Sequence, residues 1–206
     1  AASIDAISGG RLTLGLGVGA REDDYAAVGA SFDDRGTTFD RQLAELRRLW
    51  AAGPSSVRIG VPAARLGGPE LLIGGYVRAT ARRVASWGDG YVAPGGAAPD
   101  RIERMWQAVL AAWTAAGRTG RPRFVGGTYV SLGPDADAAA ARYIADYYGY
   151  EPALAERRLR AIPRTPTAVR QRIAELGGIG FDELILRPVE ADPRFLDRLE
   201  DAVGGA

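Results

Sequence analysis

Cysteine, histidine and lysine are all missing from these 206 residues: each of the 26 basic side chains is an arginine, and methionine occurs once, as Met105. Without cysteine this segment has no disulfide, no thiolate nucleophile and no thiolate metal site. Without histidine and lysine it also lacks the commonest general base and the Schiff-base amine. A compositional drift toward Ala, Arg and Gly explains the pattern, and its consequence holds either way. Redox or group-transfer chemistry here calls for an organic cofactor, and no metal site is expected.

An excess of one charge is missing too. The 26 basic residues face 25 acidic ones, a formal net charge of +1, so no basic surplus points to nucleic acid. No apolar run approaches the length of a membrane span, and no basic-then-apolar leader precedes Ser3. A soluble cytoplasmic protein, with neither nucleic acid nor membrane as partner, is the expectation.

What is present begins at Gly9-Gly10-Arg11. Leu12, Leu14, Leu16 and Val18 alternate with small or polar residues, the period of a strand, and Gly15, Gly17 and Gly19 crowd its carboxyl end. Glycine there serves either a turn with positive φ or a close backbone approach to a ligand. In α/β folds ligands sit at the carboxyl ends of the strands. The dinucleotide fingerprint G-x-G-x-x-G fails, because its third glycine would fall on Glu22 or Ala20. Arg21, Glu22, Asp23, Asp24 and Tyr25 read as a polar loop of mixed charge; Asp23 or Asp24 could orient a ring edge or lie in solvent.

Residues 1–8 read as the tail of a helix, with Ile4 and Ile7 on one face and Gly9-Gly10 as its stop. The chain thus opens inside an element, and an amino-terminal portion is expected to precede it. Asp33 and Asp34 are cap candidates for a helix from about 35 to 51, striped by Phe39, Leu43, Leu46 and Trp50 and ended by Gly53–Ser56. A loop excursion with at most a short strand at Val57–Val61 follows. Four further strands are predicted near 69–75, 89–96, 124–132 and 181–188.

Helices are predicted over 77–87, from Pro99 to about 117, after Asp135 as cap, from Thr165-Pro166 to Gly177-Gly178, and over 193–203. Ile102, Met105, Trp106, Val109 and Trp113 form one apolar face; Trp87 also reads as core. Arg82-Arg83 read as surface charge, and the tyrosines at 143, 147, 148 and 150 as core or interface packing. Strand and helix alternate at the spacing of parallel βα units, five of them. Eight would close a (β/α)₈ barrel; a doubly wound open sheet, which would suit a nicotinamide-dependent enzyme, is the other arrangement that alternation allows.

Two paired glycines stand between strand and helix. Gly74-Gly75 would expose successive N–H groups at a helix amino terminus, where the dipole favours an anion, and Arg78 could add a bidentate fork to a phosphate. A tight turn beside a solvated arginine fits the same residues. Gly95-Gly96 after the next strand makes a candidate second wall.

Ser8-Gly9-Gly10-Arg11, the strand ending Gly17-Val18-Gly19, Tyr25…Gly29, Asp34-Arg35-Gly36, Leu72-Ile73-Gly74-Gly75, Arg83-Val84-Ala85 leading to Asp89-Gly90-Tyr91, and Asp182-Glu183-Leu184 together resemble the luciferase-like monooxygenases. That family includes flavin-dependent luciferases and alkanesulfonate monooxygenases, and deazaflavin-dependent reductases and dehydrogenases. The resemblance implies a single domain of the (β/α)₈ TIM-barrel type, represented by its last five units, the first three being absent from this sequence.

The resemblance also implies reduced FMN or coenzyme F420 as cofactor, with its ring beside the backbone of Gly17 and Gly19 and its phosphate near Gly74, Gly75 and Arg78. Asp23, Gly95 and Gly96 complete the expected cofactor set, and no catalytic residue is assigned. A small organic molecule is the implied substrate, oxygenated with flavin and O₂ or exchanging a hydride with deazaflavin. A flavin reductase and a second copy of the chain are the implied partners. A flavin-binding barrel without turnover is the reading from another class.

Overall fold

The computed structural model of the protein describes residues 1–51 and 63–204. The predicted stop at Gly53–Ser56 and the short strand at Val57–Val61 lie outside the described residues. The chain divides into two compact units, Ala1–Val92 with Met105–Arg123, and Ala93–Arg104 with Phe124–Ala206.

The first unit holds strands β1 (Thr13–Leu16), β2 (Glu70–Gly74) and β3 (Gly90–Val92). They run parallel, with Leu16 opposite Ile73, Ile73 opposite Tyr91 and Gly74 opposite Val92. Leu71, Leu72 and Ile73 are all buried, as expected of a parallel strand covered on both faces. Gly90 is a close-approach glycine: a Cβ there would meet the Arg123 carbonyl oxygen and, at 2.7 Å, Leu72 Cδ2.

Helices α1 (Ala2–Ile7), α2 (Glu22–Ala27), α3 (Arg35–Ala51), α4 (Arg78–Trp87) and α5 (Pro99–Ala115) follow in chain order, the last entering this unit at Met105. Phe39 and Leu43 of α3, and Ala81, Val84 and Ala85 of α4, are buried, as are all five residues of the predicted α5 face. Trp87 is only half-buried. The predicted polar loop after Arg21 is instead helix α2, its first turn rich in carboxylates that suit the helix dipole.

Burial places the inner face of α1 and corrects one reading of α4. Ile4 and Ile7 both face outward, while Asp5 is fully buried and accepts the Ala64 N–H at 2.9 Å. Arg83 is not surface charge: it is buried, its Nε is 2.5 Å from Asp40 Oδ1, and it donates to the Gly36 carbonyl at 2.9 Å. Arg82 stays exposed on the other oxygen of Asp40. Another arginine, Arg47 of α3, donates to the Trp87 and Gly67 carbonyls and to Asp89, whose Oδ2 also accepts the Leu71 N–H. The amino ends of β2 and β3 are thereby keyed to α3.

The second unit is built on β4 (Arg123–Val130) and β5 (Glu183–Pro188), parallel over six residue pairs from Val125–Glu183 to Val130–Pro188. Around them run α6 (Ala136–Tyr148), α7 (Pro152–Arg160), α8 (Pro166–Gly177) and α9 (Arg194–Gly204). Phe124 and Phe181 stack at 4.0 Å between centroids, and the missing side chain of Gly126 leaves room for the Phe181 ring. Asp182 accepts the Phe124 N–H at 2.7 Å and so sets where β5 begins.

One apolar cluster joins Tyr129, Ala139, Ala140, Ile144, Ile162 and Val189; a second joins Val130, Leu132, Val169, Phe195 and Ala202. Thr165 caps α8 as predicted, accepting the Ala168 N–H at 3.2 Å. Asp135 occupies the N-cap of α6, but its side chain makes no cap bond and only its carbonyl accepts, from Ala139.

Candidate functional site

In the first unit, β1 and β2 end side by side in glycine. A Cβ on Gly17 would lie 3.7 Å from the Gly74 carbonyl oxygen, and one on Gly74 would lie 3.3 Å from both Val92 Cγ1 and the Val92 carbonyl oxygen. Gly17 and Gly74 are thus brought together as the sequence predicted. Their strand ends present bare backbone, a surface against which a flat ring could lie.

The turn after β2 is held by residues that the sequence reading passed over. Gly75 has φ +143°, outside the range of ordinary side chains, and a Cβ on it would sit 2.6 Å from Thr80 Oγ1. Thr80 is buried in the first turn of α4. From β3, the fully buried Tyr91 donates its hydroxyl to the Gly75 carbonyl at 3.0 Å. The carbonyl is therefore fixed from one side. Thr80, the last residue of a Gly-Gly-x-x-Arg-x-Thr run and the third of α4, was visible as a hydroxyl at a helix start; Tyr91, one aromatic in a three-residue strand, carried no such mark.

Helix α4 opens with a polarity that suits an anion. Its N-cap is Val77, which has no side-chain acceptor to offer, and its first turn has no acidic residue. Arg78 stands there instead, exposed, and among the described residues nothing pairs with it. A cation at the positive end of a helix dipole is unfavourable by itself and becomes favourable when an anion lies between them. Arg78 also lines an outer groove of about 620 Å³ with Ala108, Ala111, Ala112 and Ala115 of α5.

Gly19 (φ +74°) lies under the Tyr25 ring, whose hydroxyl bonds back to the Val18 carbonyl and folds the 17–21 segment onto α2. Asp23 is exposed and forked by Arg21: its carboxylate accepts from Arg21 Nε at 3.0 Å and from the Asp24 N–H at 3.1 Å. That hydrogen bond to Arg21 holds its pKa below the usual carboxylate value. Asp23 reaches a ligand only by giving up its partner Arg21.

In the second unit, Gly95 and Gly96 are covered by guanidinium groups. Arg187 Nη2 occupies the space of a Gly95 side chain, and Arg158 Nη1 lies 2.5 Å from where a Gly96 Cβ would be. Neither arginine was among the expected site residues. Among the described residues no group of three or more His, Cys, Asp or Glu could hold a metal ion, and no helix is long and apolar enough to cross a membrane.

Parallel βα units with glycine-ended strands define a protein of the α/β class. The model of the luciferase-like monooxygenase family matches residues 1–183, and the chain belongs to that family. Among solved structures, it is similar to monooxygenase RslO1 from Streptomyces bottropensis, with 22% identity and TM-score 0.65 over 92% of this chain and 64% of that one.

It is also similar to an F420-dependent secondary alcohol dehydrogenase in complex with an F420-acetone adduct (17%, TM-score 0.73, 98% and 72%). A third is the coenzyme F420-dependent tetrahydromethanopterin reductase from Methanopyrus kandleri (14%, TM-score 0.67, 99% and 75%). At these identities the likeness establishes the fold, the α/β barrel type of the family. The chain spans 64% of the length of the first of these structures. No curated protein matches it.

Proposed function

We propose that the protein is a cytoplasmic oxidoreductase that binds reduced flavin mononucleotide, its phosphate at the start of α4, and oxygenates a small organic substrate. The carrying observation is the α4 amino terminus without a side-chain cap, where Tyr91 and Thr80 fix the Gly75 turn and Arg78, without a partner among the described residues, stands where an acidic residue is usual. The residues fit a phosphate ester: N–H donors and a buried hydroxyl lie at one turn, and Arg78 in the same helix turn would add a charge-assisted fork.

Reduced flavin supplies the capacity to activate O₂; the protein supplies position. Gly74, Gly75, Thr80 and Arg78 would hold the phosphate, and the bare strand ends at Gly17 and Gly74, with Gly19 above them, would take the ring. Asp23 would meet a ring edge only after releasing Arg21, and Gly95 with Gly96 remain candidates for a second contact. A flavin reductase that delivers the cofactor and a second copy of this chain are the partners that go with this reading.

Hydride transfer with coenzyme F420 is the second reading, favoured by the likeness to two F420-dependent enzymes. Anaerobic titration with each reduced cofactor, followed by mixing with O₂ in stopped flow, tests the proposal. Saturable binding of reduced flavin and its accelerated or altered reoxidation support it; binding of F420 alone moves the protein to the second reading. Tight flavin binding with reoxidation unchanged from free flavin would make it a carrier, and no binding of either would refute both readings.

A further inference from the structure

The second unit contains two arginines that, among the described residues, pair with no carboxylate. Arg187, at the end of β5, crosses β4 over Gly127 and reaches the place where a Gly95 side chain would be; its Nη2 lies 3.0 Å from a Cβ built on Gly127. Arg158 comes from α7 and covers Gly96, whose φ of +72° turns the chain there. Consecutive Cα atoms are about 3.8 Å apart, so both guanidinium groups stand on one two-residue turn.

Their surroundings are aromatic rather than acidic. Arg187 lies over the Tyr129 ring at 4.7 Å and Arg158 over the Tyr148 ring at 5.5 Å, and the two tyrosine hydroxyls are 3.1 Å apart. Behind the rings lies the apolar cluster of Ala139, Ala140, Ile144 and Ile162. Among the described residues no carboxylate or carbonyl pairs with either arginine, and Arg158 Nε, Arg158 Nη1 and Arg187 Nε are buried without a hydrogen-bond partner.

Buried guanidinium N–H groups without acceptors are costly, and two like charges on one turn repel. The tyrosines cannot supply the missing charge. Burial, with the hydrogen bond to Tyr129 next, pushes the Tyr148 phenol above its ordinary value, and the same causes push Tyr143 up to about 12. Both are neutral at pH 7. Cation–π contact offsets part of the cost but leaves the N–H donors bare.

We propose that Arg158 and Arg187, with the Gly95-Gly96 turn, form a binding site for an oxyanion: the carboxylate, sulfonate or phosphate group of a small molecule. Two forks converging on a glycine turn are the donor set for such a group, and the small side chains admit it. The site rests on the second unit alone and is independent of the phosphate cradle at α4.

The test is calorimetric titration of the full chain with inorganic phosphate and with methanesulfonate at low, matched ionic strength. Wild type binds saturably. Arg158→Gln and Arg187→Gln each weaken binding roughly ten- to hundredfold, the loss of a charge-assisted contact. Arg48→Gln, at an exposed arginine that pairs with Glu45 and belongs to neither site, leaves this binding unchanged.

Thermal unfolding separates this from a structural role. In anion-free buffer Arg187→Met has a melting temperature equal to or above that of wild type, because a cation without a partner among the described residues is gone, and phosphate raises it less than it raises wild type. Comparing flavin mononucleotide with riboflavin names the source: weakening of the mononucleotide alone by Arg187→Gln assigns the oxyanion to a cofactor, and no change assigns it to a substrate. Wild type that binds neither anion, variants that bind them as well as wild type, or an anion-free Arg187→Met that melts well below wild type would overturn the site.

Discussion

The Tyr91 hydroxyl donates to the Gly75 carbonyl oxygen at 3.0 Å, tying the interior of β3 to the turn that opens α4. With its carbonyl fixed, the Gly75 peptide has one orientation, so a phosphate cradle at this turn, as proposed, would be formed before any ligand arrives. Pre-organisation of this kind lowers the ordering cost of binding.

Tyr91→Phe keeps the ring and removes the hydroxyl. The Gly75 carbonyl then loses a buried partner, and unfolding stability falls by about 1 kcal/mol. Urea denaturation measures it. Binding of flavin mononucleotide weakens in the same variant, and an unchanged affinity would show that the cradle does not depend on this contact.

Gly75→Ala places a methyl group against Thr80 Oγ1 on backbone at φ +143°. The expected loss is about 1–3 kcal/mol, the cost of a side chain in a sparsely populated region. The double variant Gly75→Ala/Thr80→Ala relieves the contact but not the strain, so it recovers only part of the loss in urea unfolding.

Asp40 and Arg83 form a pair in which Arg83 is buried. Asp40→Ala leaves that guanidinium uncompensated and costs about 3–5 kcal/mol, whereas Arg83→Met costs less because no charge stays buried. Chemical denaturation of the two variants gives the order; the reverse order would contradict the buried-pair account.

Tyr143 titrates near pH 12 rather than near 10, chiefly because burial disfavours the phenolate, with the hydrogen bond to Tyr129 adding to it. A folded-state pKa above the unfolded one contributes stability that is whole below pH 10 and is lost as pH rises toward 12. Ultraviolet titration of phenolate absorbance should show most of the eight tyrosines ionising first, with a late phase that Tyr143→Phe reduces. Stability measured between pH 10 and 12 should fall less steeply in that variant.

Where a residue's role depends on its neighbours along the chain, the sequence revealed it. The α5 stripe of Ile102, Met105, Trp106, Val109 and Trp113, the Thr165 cap and the glycine ends of β1 and β2 were all legible from spacing. Roles set by distant partners were not. Arg83 looks like Arg82 in sequence, and both pair with Asp40; the buried one is set apart by its further bond to the Gly36 carbonyl, 47 residues away. Asp5, rather than Ile4 or Ile7, is the buried side chain of α1, and its partner is the distant Ala64 N–H. Arg158 and Arg187 meet at Gly95-Gly96 from three separate stretches of chain, a convergence that no spacing rule contains.

The phosphate cradle is tested most directly by a four-way comparison: wild type and Arg78→Ala, each titrated with flavin mononucleotide and with riboflavin, which lacks the phosphate. A charge-assisted hydrogen bond contributes about 1.5–3 kcal/mol, so Arg78→Ala should weaken the mononucleotide by roughly one to two orders of magnitude. Riboflavin should bind both proteins alike. If Arg78→Ala weakens both ligands equally, or neither, the phosphate is not held at Gly74, Gly75 and Arg78.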